Sequence, residues 1–270
     1  MGRARRTLVV VAFTLVSCSS QVVPASTPTT DAVTLRLYTS SATMPLTNDL
    51  TRSYTQIQPS ISFDIIPRNY EQIVDLITDE NPAYFLTNHL PIESPLWGAP
   101  IGQDGIAIVT HPENPVTNLT TEQLRRIYQG RIDNWRDVGG QDMPITVISR
   151  EEGSGTRAEF ERLVMGERQT IQSAEIAPSS EAVIVSAGRD PGGIGYVSMS
   201  YLDASVQAIH IDDIAPTLDN VYMNTYPLRA TLFIAGVNEP LNEYRAFIAW
   251  VQSLEGQAVV ARKYAPLSKP

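Results

Sequence analysis

The run Ser149-Arg150-Glu151-Glu152-Gly153-Ser154-Gly155-Thr156-Arg157 gathers guanidinium groups, hydroxyls and glycines within nine residues. Guanidinium and hydroxyl groups donate hydrogen bonds, and glycine lets backbone N–H groups come close to a ligand. Together they suit an oxyanion, whose oxygens accept. The apolar stretch Pro144-Ile145-Thr146-Val147-Ile148 before the run reads as a strand, and Phe160, Leu163 and Val164 after it recur at helical spacing. A glycine-punctuated loop from strand to helix leaves unpaired N–H groups at the helix start, which also favours an anion. A plainer reading stays open: Ser154 or Thr156 caps a surface helix, with Glu159 completing a box from Thr156. The two are compatible, because a cap position is also where an anion would sit.

A second hydroxyl-rich loop lies upstream. Residues 33–38 alternate as a strand, and Thr39-Ser40-Ser41-Ala42-Thr43-Met44-Pro45 leads from them into a helix through Leu50 and Tyr54. Surface capping is again the alternative to binding. Further strands are expected at 62–66 and 84–87, the latter ending in Asn88-His89, with a helix between them from 70 to 78. The nearly continuous apolar run 105–109 reads as a strand buried on both faces, in a parallel or mixed sheet. Thr120 or Thr121 caps a helix closed by Gly130, Thr120 with Gln123 fitting a capping box, and Trp135 anchors a turn-rich segment by packing. A short helix at 180–187, strands at 195–198, 206–209 and 229–235, and an amphipathic helix from 244 to 260 broken at Gly256 complete the pattern. This β-α alternation predicts an α/β fold. The strands at 105–109 and 230–235 bracket some 120 residues, and the simplest topology is two lobes with a cleft between them.

The 270 residues, 43% of them hydrophobic, suffice for a real core. Arg3, Arg5 and Arg6 followed by the apolar residues 8–16 have the layout of an export signal, too short to span a bilayer permanently. The only cysteine, Cys18, follows directly, and Leu15-Val16-Ser17-Cys18 resembles a bacterial lipobox; an incidental cysteine is the alternative. Residues 1–17 are therefore expected to be a signal peptide. Cys18, lipid-modified (palmitate included), would begin a flexible Ser/Thr/Pro-rich tether, 18–32, at the outer face of the cell membrane. Without the leader, 17 basic face 29 acidic side chains. Such a field repels nucleic acid, so local donors must hold any anion. Enzyme signatures are missing: Glu152 spoils a Gly-x-Ser-x-Gly elbow at Ser154, His89, His111 and His210 are scattered, and neither a Walker lysine nor a Rossmann glycine set occurs. No enzyme, metal or cofactor is expected.

The ordered motifs Asp104-Gly105-Ile106-Ala107-Ile108-Val109, Asn114-Pro115-Val116-Thr117-Asn118-Leu119-Thr120, Asn134-Trp135-Arg136-Asp137-Val138-Gly139-Gly140 and Arg150 to Arg157 resemble those of the phosphate-binding proteins of bacterial ABC transporters. Gly192-Gly193-Ile194-Gly195-Tyr196-Val197, Tyr226-Pro227-Leu228 and Leu254-Glu255-Gly256-Gln257 continue the likeness, which covers about residues 33–267. The resemblance implies a type II periplasmic-binding-protein-like α/β fold, with two hinge strands joining the lobes. Lobe 1 would take 33–109 and 226–270, and lobe 2 would take 110–225. It implies a monomer that closes on phosphate or a similar oxyanion and hands it to an ABC transporter permease. Arg150, Ser154, Gly155 and Thr156 match the second-lobe ligands, and Thr43 matches the threonine of the first binding loop, with Ser41 beside it. Arg157 is expected to sit on the helix surface or to support the loop. Two positions depart from the family: Pro67-Arg68-Asn69-Tyr70 replaces a Gly-Ser-Ser type turn, and Asn88 stands where relatives place an aspartate that accepts the proton of hydrogen phosphate. Arg68 is then an added donor, and Asn88, which both donates and accepts, would discriminate less by protonation state. A sensory or regulatory anion-binding protein of the same fold is the main alternative, and a serine hydrolase or phosphatase a distant one.

Overall fold

The computed structural model describes residues 1–2, 32–77 and 83–268; the leader from residue 3, Cys18 and the tether to residue 31 lie outside them. The hydroxyl-rich first loop follows β1 (Val33–Thr39) as a turn of 3-10 helix, Ser41–Thr43, and runs into α1 (Met44–Ile57). Pro45 fits in the first turn of α1, where backbone N–H groups have no intrahelical partner. Next come β2 (Ile61–Pro67), α2 (Tyr70–Leu76), β3 (Tyr84–Thr87) and the 14-residue β4 (Trp97–Thr110). The middle of the chain forms β5 (Asn118–Leu119), α3 (Thr121–Tyr128), β6 (Thr146–Arg150), α4 (Gly155–Phe160), β7 (Glu175–Ala177), α5 (Ser180–Arg189), β8 (Gly193–Ser198), β9 (Gln207–Ile211) and α6 (Leu218–Tyr222). The chain returns through β10 (Arg229–Gly236) and ends in α7 (Asn242–Val251) and α8 (Leu254–Val260).

The sheet order is β2-β1-β3-β10-β4-β8-β6-β7, with β9 on β4 and β5 on β9. β4 is the strand the two lobes share. Residues 97–105 pair antiparallel with β10, while 106–110 pair with β8 on one edge, and β9 takes the other from Ile108. Ile106 to Val109 are buried on both faces in a mixed sheet, as expected, with antiparallel neighbours on both edges; α5 and α6 cover them. The hydrophobic core divides at the same place. One cluster runs from Ile106 to Ala230 with Ala265, around the stacked rings of Phe160 and Tyr196, whose centroids lie 4.0 Å apart. Two others join residues 35–101 to 232–264, one of them built around Tyr54 and Phe247.

Thr120 and Gln123 form the expected capping box, and Trp135 is fully buried with its indole N–H on the Gly192 carbonyl. The C-terminal helix breaks at Gln252-Ser253 instead of Gly256. Ser253 caps α8, and Gly256 packs so tightly on the end of α7 that a β-carbon there would lie 2.2 Å from the Trp250 carbonyl oxygen.

Candidate functional site

The loop between β6 and α4 is one jaw of a cleft. At its start, the Tyr196 hydroxyl lies 3.0 Å from Ser149 Oγ and accepts the Arg150 N–H at 3.1 Å. Burial raises this phenol to about 12, so it serves as a neutral hydroxyl. Gly153 takes a left-handed φ of 79°, and a side chain there would also run into Asn69 and Glu71 of the facing lobe. Ser154 is the cap of α4, accepting the Arg157 N–H at 3.3 Å. Capping uses an oxygen lone pair and leaves the Ser154 proton free to be donated. Arg157 braces the loop through the Arg150 carbonyl at 3.2 Å and Glu161 at 2.8 Å.

Thr156 does not form a box with Glu159. That carboxylate instead reaches His89 Nδ1 of the facing lobe at 2.8 Å and the Arg162 guanidinium. Burial pushes the Glu159 carboxyl up, but hydrogen bonds from His89 and Arg162 outweigh it and lower its pKa.

Arg150 is 2% exposed. Its Nε and Nη2 hold Glu151 in a fork at 2.8 and 2.9 Å; Nη2 also reaches Ser41 Oγ of the other lobe at 3.0 Å, and Nη1 reaches Ser180 Oγ at 3.3 Å. Ser41 and Ser180 lie 3.1 Å apart, and Tyr201 donates to the Ser41 carbonyl. Ser41, Arg68, Arg150, Ser154, Gly155 and Thr156 thus line one cleft of about 430 Å³ together with Asn69, Glu151 and Glu181. Donors converge on it from both sides. Arg68 stands exposed, its Nη1 on the Pro67 carbonyl at 2.7 Å. Asn69 caps α2 and gives its amide to the Glu152 carbonyl at 3.2 Å, another contact between the lobes.

Two expected residues sit differently. Thr43 does not line the cleft: its fully buried hydroxyl lies against the Leu86 carbonyl at 2.9 Å and the hydroxyls of Thr39 and Ser40. The 3-10 turn points Ser41 to the cleft and Thr43 into the core, so the first loop presents Ser41. Asn88 lies beneath the cleft, 1% exposed, donating Nδ2 to Thr156 Oγ1 at 3.2 Å.

Below Asn88 is Asp104, which residue types did not single out although an acid opening an apolar strand is a usable signal. It is fully buried on β4, where the partners of that strand change. Ser198 Oγ donates to its Oδ1 at 2.8 Å and Ser200 and Tyr264 continue the chain, each step 2.8 Å, while Oδ2 has no partner at full hydrogen-bond distance. Burial pushes the Asp104 carboxyl up to about 8, against the opposing pull of Ser198, the Asn88 amide and the N–H groups of Gly105 and Met199. An unfolded aspartate titrates near 3.9. Below that pH both states hold the proton and burial carries no ionisation penalty. As pH rises toward 8, the unfolded state ionises more readily and stability falls, by an amount on the order of 5 kcal/mol at the top of the window. Asp104→Asn cannot ionise, so its melting temperature should exceed that of the parent by a margin that grows from pH 4 to pH 8. Parallel melting curves across that range would remove the argument.

Among the described residues no His/Cys/Asp/Glu group could hold a metal ion, and no helix is long and apolar enough to cross a membrane. A family model described as a PBP superfamily domain matches residues 24–255. A structure from Clostridium perfringens, of a substrate-binding protein assigned to a phosphate ABC transporter and holding phosphate, is 30% identical, covers 88% of this chain and 100% of that one, and has a TM-score of 0.81. An ABC-type phosphate transport receptor from Vibrio cholerae is 28% identical, covers 87% of this chain and all of that one, with a TM-score of 0.72. The phosphate-binding protein PstS of Bacillus subtilis (strain 168) is 30% identical over 167 residues, 61% of this chain and 55% of that protein. The chain spans 55 to 61% of the length of the curated relatives it matches first.

Proposed function

The chain belongs to the PBP superfamily, and from that membership we propose that it captures phosphate outside the cytoplasm and delivers it to an ABC transporter. The supporting observation is the convergence of uncharged donors and one buried guanidinium from both sides of one cleft, in a chain whose net charge of -9 draws no anion by its overall field. Ser41 acts from the lobe comprising 33–109 and 226–270, and Arg150, Ser154 and Thr156 act from the lobe comprising 110–225. Their hydrogen bonds replace the water that phosphate leaves behind, and bridging both lobes favours their closed arrangement.

Capture is non-covalent: among the described residues no side-chain base is hydrogen-bonded to the Ser154 hydroxyl, which caps α4, and His89 faces Glu159 instead. The sequence Leu15-Val16-Ser17-Cys18 supports a lipid anchor at Cys18, on which the protein works as a monomer beside its permease. Titration calorimetry of the delipidated protein with phosphate should give saturable heat at a ratio of one, and phosphate should raise the melting temperature in proportion to log concentration. Absence of both responses would sink the reading. Organic phosphates in place of inorganic phosphate would point to the sensory alternative.

A further inference from the structure

The lobes also touch at a point set apart from the anion donors, and there each side is oriented before the two meet. On one side, the Thr87 hydroxyl fixes the His89 backbone, lying 3.0 Å from both the His89 N–H and the His89 carbonyl oxygen. The Tyr70 ring meets the imidazole at 79°, with centroids 4.8 Å apart. On the other side, Arg162 holds Glu159 through Nε at 2.9 Å and Nη2 at 2.6 Å, both on Oε2. Oε1 is thereby left for His89 Nδ1, 2.8 Å away. The Glu159 carboxylate, ionised despite its burial, has no proton to give, so Nδ1 is the donor. Gly155 makes the meeting possible. It stands one turn before Glu159 on α4, so the two share the face that approaches residues 87–89. A β-carbon on Gly155 would lie 3.1 Å from His89 Cβ, so only a bare backbone lets that face come this close.

We propose that His89 and Glu159 are positioning residues for anion capture, a latch that holds α4 against the residues following β3 so that Ser41 and the donors of the α4 loop reach one ligand together. Neither residue lines the cleft that gathers Ser41, Arg150, Ser154 and Thr156; both line a separate cavity of about 590 Å³ with Leu90 and Phe233. Whatever they do to an anion therefore acts through the spacing of the lobes. When the lobes part, Glu159 keeps Arg162 and His89 keeps Thr87, because those contacts lie within one lobe each. Closing adds a charge-assisted hydrogen bond between groups already oriented, with little rotamer freedom left to lose. A ligand that must touch both lobes binds in proportion to the fraction of molecules whose lobes are together, so the latch raises affinity without a contact to the ligand. The inference rests on the phosphate-capture reading for the identity of the anion; the meeting of the lobes does not depend on it.

The test pairs calorimetry with inorganic phosphate and small-angle X-ray scattering without it, on the parent, His89→Ala, Glu159→Ala, the double variant and His89→Asn, with circular dichroism to establish that each is folded. Each alanine variant should raise the phosphate Kd at least about fivefold, the lower end of ordinary coupling between separate sites. Each should also enlarge the radius of gyration, and saturating phosphate should restore the parental value. The loss in the double variant should fall well short of the product of the two single losses, because both remove the same bond. His89→Asn sets an amide N–H where Nδ1–H stood and should recover most of the affinity, which a residue needed only for packing would not show. Single losses that multiply in the double variant, or an asparagine that binds no better than alanine, would overturn the latch while leaving phosphate capture standing. A parent that binds no phosphate would end the capture reading instead. The latch then stands on scattering alone, and a radius of gyration unchanged in both alanine variants overturns it.

Discussion

Arg150→Ala is expected to weaken phosphate binding at least about a hundredfold. Truncating one partner of a buried, hydrogen-bonded charge pair costs roughly 2–5 kcal/mol, and here two effects act in the same direction. The variant loses the one guanidinium that is buried among the described residues lining the cleft, and it leaves Glu151, held by the fork at 2.8 and 2.9 Å, as a bare carboxylate beside an incoming anion. Arg150→Ala combined with Glu151→Ala should therefore bind better than Arg150→Ala alone, although still far below the parent. Because Arg150 also reaches Ser41 and Ser180, the single variant should lose about 1–3 kcal/mol of stability as well. Calorimetry and thermal melts of the three variants check the scheme; equal affinity in Arg150→Ala and the parent would remove the arginine from the site.

Gly155→Ala should separate binding from stability. Gly155 is the first residue of α4, where alanine is the better helix former by about 0.5–1 kcal/mol, so the ligand-free protein should melt no lower than the parent. The added methyl, however, would lie 3.1 Å from both Asn88 Oδ1 and His89 Cβ and 3.6 Å from Thr87 Oγ1. Thr87 ends β3 and Asn88 and His89 follow it directly, all on the opposite lobe. The least costly relief is to move the lobes apart by a few tenths of an ångström, and hydrogen bonds to a ligand gripped from both sides weaken steeply with distance. A loss of affinity of at least tenfold is expected with the melting temperature preserved. If affinity is retained, the lobes do not need this approach to hold the anion.

What could be read from the chain was local. The alternation in β1, the apolar centre of β10, the box at Thr120 and the glycine-punctuated turn at 153–155 each carry their signal within a few residues, and the structure forms each of them. The two-residue β5 and three-residue β7 are set by partners distant in sequence and have no such signal. The choice between Ser41 and Thr43 depends on the pitch of one 3-10 turn, which carries the first hydroxyl to the cleft and the second under Leu86. Glu159 shows the same limit. Its spacing from Thr156 fits a capping box, yet His89, 70 residues away, takes its carboxylate. Asp104 was visible as part of a motif, but its meeting with Asn88 and Ser198 exists only once β3, β10, β4 and β8 are assembled in one sheet.

The shared strand also sets an order in time. The cluster that runs from Ile106 to Ala230 is drawn, Ala265 apart, from one continuous stretch, and a chain made from its N-terminus can assemble most of it as that stretch appears. The other clusters cannot close in that way: β3 must wait for β10, more than 140 residues later, and Tyr54 for Phe247. Such distant pairings form slowly because the intervening loop must be gathered first. The lobe that bears Ser41 is begun first and finished last, so the cleft comes into being only when the final helices arrive. A chain cut short before β10 can then hold a nearly complete second jaw with nothing to close upon.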